Sequence, residues 1–424
     1  MKIFFLTHGC KANQYDTETF RQELVARGAT LAHSISEADA CVINTCTVTN
    51  AADADARKAI RKAKRENPSI EIFVAGCSAA LKQRSYLAME EVRDVVKGHN
   101  PLEVAQALSS ALPDLTQHEE SIGGVLLKKN RRGVRGWLKI QDGCDRKCSF
   151  CATRLARGQS RSRSMEDILA EATLLAQSHH EIVLTGVHIG HYGVDLSDKK
   201  RKEFTLGKLL SQLVDQVHAP SGEIRFRLGS IEATEIDDEL MELVCHHPKV
   251  ASHFHIPMQS GSNAILQRMK RWHTREQYYK RVYDIAQECE YLGLGADIIV
   301  GFPGESEQDY AATRELVNSL PFNYAHVFPY SLRDDTTATL LEGRIAGNVS
   351  AQRSRDLRAL VHEKGQSYIE SRLGTEVQVV VEENGRGLTE DYLRVAIKKG
   401  SAWVGKLKKA TLLGKASAPQ THLL

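Results

Sequence analysis

The sequence lacks any apolar run close to the roughly 20 residues that a membrane-spanning helix needs. Its first residues, MKIFFLTHGC, hold one lysine and a short apolar stretch, whereas a secretory signal needs about 7–15 apolar residues and a small-residue cleavage site. The stretch KIFFL is instead typical of a buried strand. Internal repeats and marked low-complexity segments are also missing. These absences predict a cytoplasmic protein with no membrane contact, in which clustered thiols stay reduced and indicate a metal or redox site.

The net charge of the sequence is also small. The 424 residues carry 56 Lys and Arg against 53 Asp and Glu, which leaves a formal net charge of +3. This balance does not by itself imply a polyanionic partner, so the placement of the basic residues has to be considered. Hydrophobic residues make up 42% and charged residues 26%, as in ordinary globular proteins, and the length suffices for two or three domains.

Residues 1–120 alternate short apolar strands with helical segments. KIFFLTHGC, ACVINTC and IEIFVAGC are predicted strands, and DTETFRQELVARG and DADARKAIRKAKREN are the predicted helices between them. This βαβαβ order predicts a Rossmann- or flavodoxin-like parallel sheet covered by helices. In such sheets ligands bind outside the carboxyl ends of the strands. Each of these predicted strands ends at or near a cysteine, namely Cys10, Cys46 or Cys77, so the topology would bring the three to one edge.

The remaining chain divides into three parts. A polar, basic segment at 121–136 is a predicted linker. Within 137–365, six further apolar strands separated by helical segments predict a partial (β/α)6 barrel with its chemistry at the carboxyl ends of the strands. Alternating apolar residues and an Asn-Gly turn in 366–424 are typical of a small antiparallel β-barrel. The predicted fold class is therefore α/β, with a parallel-sheet domain, a partial barrel and a small β-barrel.

Three cysteines, Cys144, Cys148 and Cys151, stand within eight residues in QDGCDRKCSFC. A tetrahedral zinc site or a cubane cluster normally takes four ligands, and this loop offers three. A zinc half-site is one interpretation, although a second pair is missing, and buried structural cysteines are another, although Gly, Asp, Arg, Lys and Ser surround them. The third is a [4Fe–4S] cluster with one iron open to an exogenous ligand, which cysteine thiolates suit.

The C-x3-C-x2-C spacing, with an aromatic residue before the last cysteine, resembles the signature of radical S-adenosylmethionine (SAM) enzymes. In that family the open iron binds SAM, and reductive cleavage of SAM gives a 5′-deoxyadenosyl radical. THGCKANQYDTE, INTCTVTNAAD and VAGCSA resemble the N-terminal domain of the methylthiotransferase members, which holds a second three-cysteine cluster. The resemblance therefore implies SAM and two [4Fe–4S] clusters. The implied ligands are Cys10, Cys46 and Cys77 for one cluster and Cys144, Cys148 and Cys151 for the SAM-binding one.

Strand-end segments of the predicted barrel resemble the same family: LTGVHIGHYG, RLGSIEATEIDDEL, HIPMQSGSNAILQRM and GADIIVGFPGE. In radical SAM enzymes such residues line the SAM and substrate pocket, where glycine lets the backbone approach a ligand; glycine equally just makes turns. No residue is assigned as a classical acid or base, because the cofactor has to carry chemistry at an unactivated C–H bond. The resemblance implies SAM-binding roles for Phe150, Gly186, Ser230, Glu232, Gln259 and Gly301.

Basic residues are concentrated after the cysteine loop, in the linker and in the tail. Any one such run is as typical of a solvated surface, but three together favour a phosphate-binding track for RNA. The tail is similar to a TRAM domain, the small β-barrel with which methylthiotransferases grip tRNA. The candidate RNA or substrate contacts are Arg154, Arg157, Arg161, Arg163, Lys406 and Lys408.

Within the methylthiotransferases, CKANQYDTE, GVHIGHYG, SIEATEIDDEL, HVFPYS and GLTEDYLRV most resemble the MtaB type. This resemblance implies methylthiolation at C2 of adenosine 37 in a tRNA that already carries the N6-threonylcarbamoyl group. It also implies an electron donor such as flavodoxin or ferredoxin. The alternatives are isopentenyladenosine in tRNA, an aspartate of a ribosomal protein or, in a different class, a non-catalytic iron–sulfur RNA-binding protein.

Overall fold

The computed structural model describes residues 1–112, 133–196, 204–397, 401–416 and 420–423. These residues form two compact units, and each is described separately below. Unit 1 comprises residues 1–112, 142–146 and 151–160, and unit 2 comprises residues 133–141, 147–150 and those from 161 onward. Within the described ranges, no helix is both long and apolar enough to span a bilayer.

Unit 1 is built on a five-stranded parallel sheet with the order β2-β1-β3-β4-β5. This order is flavodoxin-like and confirms the prediction. Helices α1 to α5 accompany the sheet. The elements are β1 (Lys2–Thr7), α1 (Lys11–Ala26), β2 (Thr30–Leu31), β3 (Ala40–Thr45), α2 (Asn50–Glu66), β4 (Glu71–Gly76), α3 (Cys77–Leu87), β5 (Asp94–Val95), α4 (Pro101–Ala111) and α5 (Thr153–Arg157).

The sequence of the basic helix α2 explains why this segment is helical and which face it buries. The Thr49 hydroxyl accepts a hydrogen bond from the Ala52 amide, which caps the first turn. Ala56, Ile60 and Ala63 are buried at helical spacing, so the Lys and Arg residues of this helix face away from the sheet.

Unit 2 contains six parallel strands that follow chain order, in two three-stranded sheets: β6-β9-β10 and β11-β12-β13. An isolated bridge between Ser230 and His255 links the two sheets. The predicted partial (β/α)6 barrel is thereby confirmed. Its strands are β6 (Gly136–Lys139), β9 (Glu181–Thr185), β10 (Arg225–Leu228), β11 (His253–His255), β12 (Gly293–Val300) and β13 (Tyr324–Pro329), whereas the short strands β7 (Gln141–Asp142) and β8 (Arg161–Ser162) are not part of the barrel.

Seven helices accompany these strands. They are α6 (Met165–Ala176), α7 (Leu206–Gln216), α8 (Asp238–His246), α9 (Asn263–Arg268), α10 (Arg275–Glu288), α11 (Glu307–Ser319) and α12 (Gly347–Arg372). Short 3-10 turns occur at Ile35–Glu37, Ile189–His191, Ala233–Glu235, Thr337–Leu340, Glu383–Gly385 and Ser401–Trp403.

The two faces of the barrel strands differ in chemistry. Apolar residues such as Phe254, Ile298 and Val327 form one core with the helices. Successive side chains of a strand point to opposite faces, so the neighbours of these residues face the interior of the barrel. Those neighbours include His255 and Asp297, so the interior is polar at this level.

The C-terminal part of unit 2 is a small closed barrel with the strand order β14-β15-β16-β18-β17. The predicted antiparallel barrel is confirmed, except that β16 pairs with β18 in parallel. Val377, Val379 and Leu412 fill its core. The strands are β14 (Glu376–Glu382), β15 (Arg386–Thr389), β16 (Arg394–Ile397), β17 (Leu407–Ala416) and β18 (Gln420–Leu423).

A buried charge network ties the partial barrel to the C-terminal barrel. The Glu181 carboxylate accepts hydrogen bonds from Arg225 Nε at 2.7 Å and Arg227 Nη2 at 3.1 Å. The same guanidinium groups donate to the Leu388 and Thr389 carbonyls, at 3.0 and 2.7 Å. Burial would raise the pKa of Glu181, but the two guanidinium groups outweigh it and hold the pKa at about 2.

We expect Glu181→Gln to lower the free energy of unfolding by roughly 3–5 kcal/mol, because it leaves two buried guanidinium groups without their anion. The wild-type carboxylate contributes its full stability above the pKa of an unfolded glutamate, and that contribution is lost as the pH falls toward about 2. Urea unfolding at pH 7 measures the stability lost in Glu181→Gln. Thermal unfolding of wild type between pH 7 and pH 3 measures the pH dependence.

Glu376→Gln is the matched control, because its partner Lys409 is exposed and such surface pairs contribute about 0–1 kcal/mol. Equal midpoints for Glu181→Gln and wild type at pH 7 would contradict the expected role of the network.

The structure contains a bond that the sequence analysis did not predict. Cys245, in α8, and Cys289, directly after α10, form a disulfide at the edge of the hydrophobic core of unit 2. The ends of the two helices lie side by side, and the Cα atoms are 4.7 Å apart. Cys41 is buried in β3 as a free thiol.

Candidate active site

Cys10, Cys46 and Cys77 lie at the carboxyl ends of three neighbouring strands. Cys10 follows β1, Cys46 follows β3, and Cys77 is the first residue of α3, directly after β4. Gly9 has a φ of +109°, and a side chain there would place its Cβ 2.8 Å from the Cys46 sulfur. Only glycine fits this close approach, which brings the turn after β1 against Cys46.

Asn13 lies among these cysteines. Its Oδ1 is 3.9 Å from the Cys10 sulfur and 3.8 Å from the Cys77 sulfur. Its Nδ2 donates to the His8 and Thr45 carbonyls, at 2.9 and 2.8 Å, so the amide is held in one orientation. Two of the three thiols therefore contact Asn13, and Cys46 lies at the end of the neighbouring strand β3. Three thiols at one sheet edge match the donor set of an iron–sulfur cluster.

Arg157, at the end of α5, is buried beside the same cysteines, with a side-chain exposed fraction of 1%. Its Nε donates to the Cys77 sulfur at 3.1 Å and its Nη1 donates to Asp142 Oδ1 at 2.9 Å. Its Nη2 donates to Asn13 Oδ1 at 2.8 Å and to Asp16 Oδ2 at 2.7 Å. A side chain this buried is out of reach of an RNA phosphate, so the predicted RNA contact is replaced by a contact with a cysteine.

The electrostatics at Cys77 follow from this arrangement. Burial raises the pKa of the Cys77 thiol to about 12, and the positive charge of Arg157 opposes that rise. A thiol has to lose its proton to bind iron, and metal binding provides the driving force. Arg157 therefore lies where it stabilises the thiolate form of Cys77.

Contacts within unit 1 hold the two ends of the C-x3-C-x2-C loop together. The Cys144 amide donates to the Gly158 carbonyl at 3.0 Å. Gly143 has a φ of +73°, and a Cβ there would collide with the Gln159 carbonyl. Asp142, just before the loop, also accepts from His99 at 2.9 Å. Residues on both sides of the cysteine motif are thus held together.

The middle of the loop belongs to unit 2. The Ser149 amide donates to the Met269 carbonyl at 3.0 Å. Arg271 Nη1 lies 3.6 Å from the Cys148 sulfur, and its Nη2 forms a close ion pair with Glu232. Glu232 is a predicted SAM-binding residue, whereas Arg271 carries no signal in the sequence beyond its place after a helix.

The other predicted SAM-binding residues lie at strand ends or in turns. Ser230 bridges to His255, and the Gln259 amide donates to the Asp297 carbonyl at 2.8 Å. Gly301 has a φ of +71°, and a Cβ there would collide with the Ser350 hydroxyl.

Gly186 and Phe150 also have packing roles. A Cβ at Gly186 would lie 2.7 Å from the Gln141 carbonyl, and Phe150 packs edge-on against Phe302 with ring centroids 6.5 Å apart. Turn geometry and packing therefore account for Gly186, Gly301 and Phe150 whether or not SAM binds there.

The predicted basic contacts differ in exposure. Arg161 and Lys406 are exposed, and Arg154 and Lys408 are half-buried. Arg163 donates to the Lys139 carbonyl at 2.9 Å and pairs with buried Glu171 at 2.6 Å, so its positive charge is balanced by a carboxylate within the fold. Six other basic residues of the predicted track lie outside the described residues: Lys128, Lys129, Arg131, Arg132, Lys398 and Lys399.

Two family models match the chain. The uncharacterized protein family UPF0004 matches residues 2–98, and the radical SAM superfamily matches residues 138–317. The chain is 36% identical over 422 residues to the threonylcarbamoyladenosine tRNA methylthiotransferase MtaB of Aquifex aeolicus, covering 97% of this chain and 100% of that protein. It is 35% identical to the MtaB of Bacillus subtilis, covering 98% and 94%.

A second group of relatives has a different name. The tRNA-2-methylthio-N(6)-dimethylallyladenosine synthase of Carboxydothermus hydrogenoformans is 30% identical, over 96% of each chain. Among solved structures, the radical SAM methyltransferase TsrM from Kitasatospora setae aligns with a TM-score of 0.57 at 14% identity, covering 80% of this chain and 76% of that one. At this identity the structural similarity supports the fold alone.

Proposed function

Because the chain belongs to the MtaB-type family of radical SAM tRNA methylthiotransferases, we propose that it converts N6-threonylcarbamoyladenosine at position 37 of tRNA to the 2-methylthio derivative. We further propose that it uses two [4Fe–4S] clusters, one on Cys10, Cys46 and Cys77 and one on Cys144, Cys148 and Cys151. The observation that carries the proposal is the gathering of Cys10 and Cys77 around Asn13 at the same sheet edge as Cys46.

The substrate part of the proposal rests on the relatives. The Aquifex aeolicus protein named for threonylcarbamoyladenosine is 36% identical over its whole length, and the Carboxydothermus hydrogenoformans protein named for dimethylallyladenosine is 30% identical. The second group supplies the alternative substrate that any experiment has to include.

The residues of this chain have separate tasks in the proposed reaction. When bound, the clusters and SAM supply the electron, the hydrogen-abstracting radical and the methylthio group. Asn13 and Arg157 orient Cys77, Arg271 contacts the Cys148 sulfur, and Glu232 balances the charge of Arg271. The proposed tRNA substrate places adenosine 37 in a single-stranded loop, where turning a base out of its stack costs less than in a duplex.

The test is anaerobic incubation of the reconstituted protein with SAM, a reductant and two tRNAs, followed by mass spectrometry of the nucleosides. One tRNA carries threonylcarbamoyladenosine and the other dimethylallyladenosine at position 37. We expect the methylthio mass shift on the first tRNA only. A shift on the second alone would replace the substrate, and deoxyadenosine formation without any modified nucleoside would leave the chain a radical SAM enzyme with another substrate.

A further inference from the structure

A group of ionisable side chains lies on the interior face of the barrel, about halfway along β12. His255 of β11, Asp297 of β12 and His326 of β13 each come from a different strand. Asp297 and His326 stand opposite each other in the pairing of β12 with β13. His255 Nε2 lies 3.2 Å from Asp297 Oδ1, and its ring centroid is 5.6 Å from that of His326. We refer to these three residues as the interior cluster.

A layer of aromatic side chains supports the interior cluster. His255 Nδ1 is 3.0 Å from the Tyr324 hydroxyl, which is also 2.8 Å from His253 Nε2. The Tyr392 ring stacks on His253 with centroids 4.3 Å apart. Both nitrogens of His255 therefore have a partner, and its orientation toward Asp297 is fixed.

The outer part of the cluster is accessible. His326 is exposed, and the Asp297 side chain keeps 29% of its surface. Phe328, two residues beyond His326 on the same face of β13, is 40% exposed, and its ring centroid is 6.3 Å from that of His326. Exposed rings beside hydrogen-bonding groups suit an unstacked nucleobase, which is recognised by stacking and by its polar edges.

The cluster also borders the predicted SAM-binding residues. Ser230 bridges directly to His255, and the Gln259 amide donates to the carbonyl of Asp297 itself. A substrate bound at the interior cluster would therefore be next to those strand ends, where barrels of this kind carry out their chemistry.

We propose that the interior cluster binds the polar N6 substituent of adenosine 37, with Phe328 stacking on the base; this inference rests on the proposed function. A threonylcarbamoyl group carries urea N–H groups, a hydroxyl and a carboxylate. Asp297 accepts hydrogen bonds from N–H and O–H groups, and a His326 N–H donates to a carboxylate. A dimethylallyl group offers none of these partners, so binding it would desolvate Asp297 without replacement hydrogen bonds. The cluster thus selects the polar substituent.

The experiment measures dissociation constants of the holoenzyme for three anticodon stem–loop RNAs by fluorescence anisotropy. They differ only at position 37, which carries threonylcarbamoyladenosine, adenosine or dimethylallyladenosine. We expect wild type to prefer the first RNA, and His326→Ala and Asp297→Asn to reduce that preference roughly 10- to 100-fold. His246→Ala is the matched control, because it removes an exposed histidine beside Glu242 and Glu288 instead.

Iron content and thermal unfolding verify that each variant is folded and loaded. If wild type methylthiolates the threonylcarbamoyl tRNA but both variants keep its preference among the RNAs, the inference fails and the proposed function stands. A wild type that binds the three RNAs equally overturns the inference as well. If wild type modifies only the dimethylallyl tRNA, the proposed function fails and the inference fails with it.

Discussion

Cys148→Ala and Cys77→Ala are each expected to reduce tRNA methylthiolation more than about 100-fold, because each removes a proposed cluster ligand and not merely a group that supports one. The two variants should differ in SAM cleavage. Cys148→Ala removes a thiol from the C-x3-C-x2-C loop and should abolish deoxyadenosine formation. Cys77→Ala leaves that loop intact and should retain deoxyadenosine formation while the tRNA stays unmodified.

Iron analysis provides an independent readout of the same variants. Two cubane clusters correspond to about eight irons per chain, so each variant should fall to about four. Cys41→Ala is the control: it removes a buried free thiol of β3 that is not one of the six proposed cluster ligands, and should keep both activities and all the iron. Deoxyadenosine formation by Cys148→Ala at the wild-type rate would refute the assignment of that cysteine.

Arg157→Gln is expected to have the second largest effect. It breaks the hydrogen bond to the Cys77 sulfur and leaves the Asp16 and Asp142 carboxylates without their buried cation. A charge-assisted N–H···S bond stabilises the electron-rich sulfur, so its loss should lower the reduction potential of a cluster on Cys77. Residues that orient a metal ligand typically contribute about 10- to 100-fold in metal affinity or activity, and we expect a loss of that size.

The measurement uses protein in which Cys144, Cys148 and Cys151 are replaced by alanine, so that only the N-terminal cysteines bind a cluster. Electron paramagnetic resonance during a redox titration then reports the midpoint potential with and without Arg157. Arg157→Lys keeps the charge but not the planar fork of donors, and should restore only part of the effect. Arg154→Gln, on the same helix, should leave the spectrum unchanged; an unchanged midpoint in Arg157→Gln would refute the role.

Local patterns were enough to predict most of the fold. Helical spacing in α2 and the apolar runs of β1, β3 and β4 are properties of short segments, so the parallel sheet was predictable. The six strands of the partial barrel follow chain order, which the same alternation of strands and helices indicates. The spacing of Cys144, Cys148 and Cys151 lies within a single loop and is visible without any structure.

Side-chain partners were less predictable. Arg157 stands in a run of basic residues, and its sequence neighbours indicate a solvated or RNA-facing residue. Its burial depends on the packing of α5 against α3, which brings it to Cys77, 80 residues earlier in the chain. The Cys245–Cys289 disulfide escaped prediction for the same reason, because it joins the ends of two helices 44 residues apart.

The sequence by itself determined the order of elements, the three-cysteine loop and the position of Cys10, Cys46 and Cys77 after their strands. Only the tertiary structure decided that Asn13 and Arg157 hold Cys77, and that His255, Asp297 and His326 meet inside the barrel. The physical reason is the separation along the chain of the residues that come into contact. Periodicity and spacing describe what a segment does with its own neighbours, whereas these contacts join segments through strand register and helix packing.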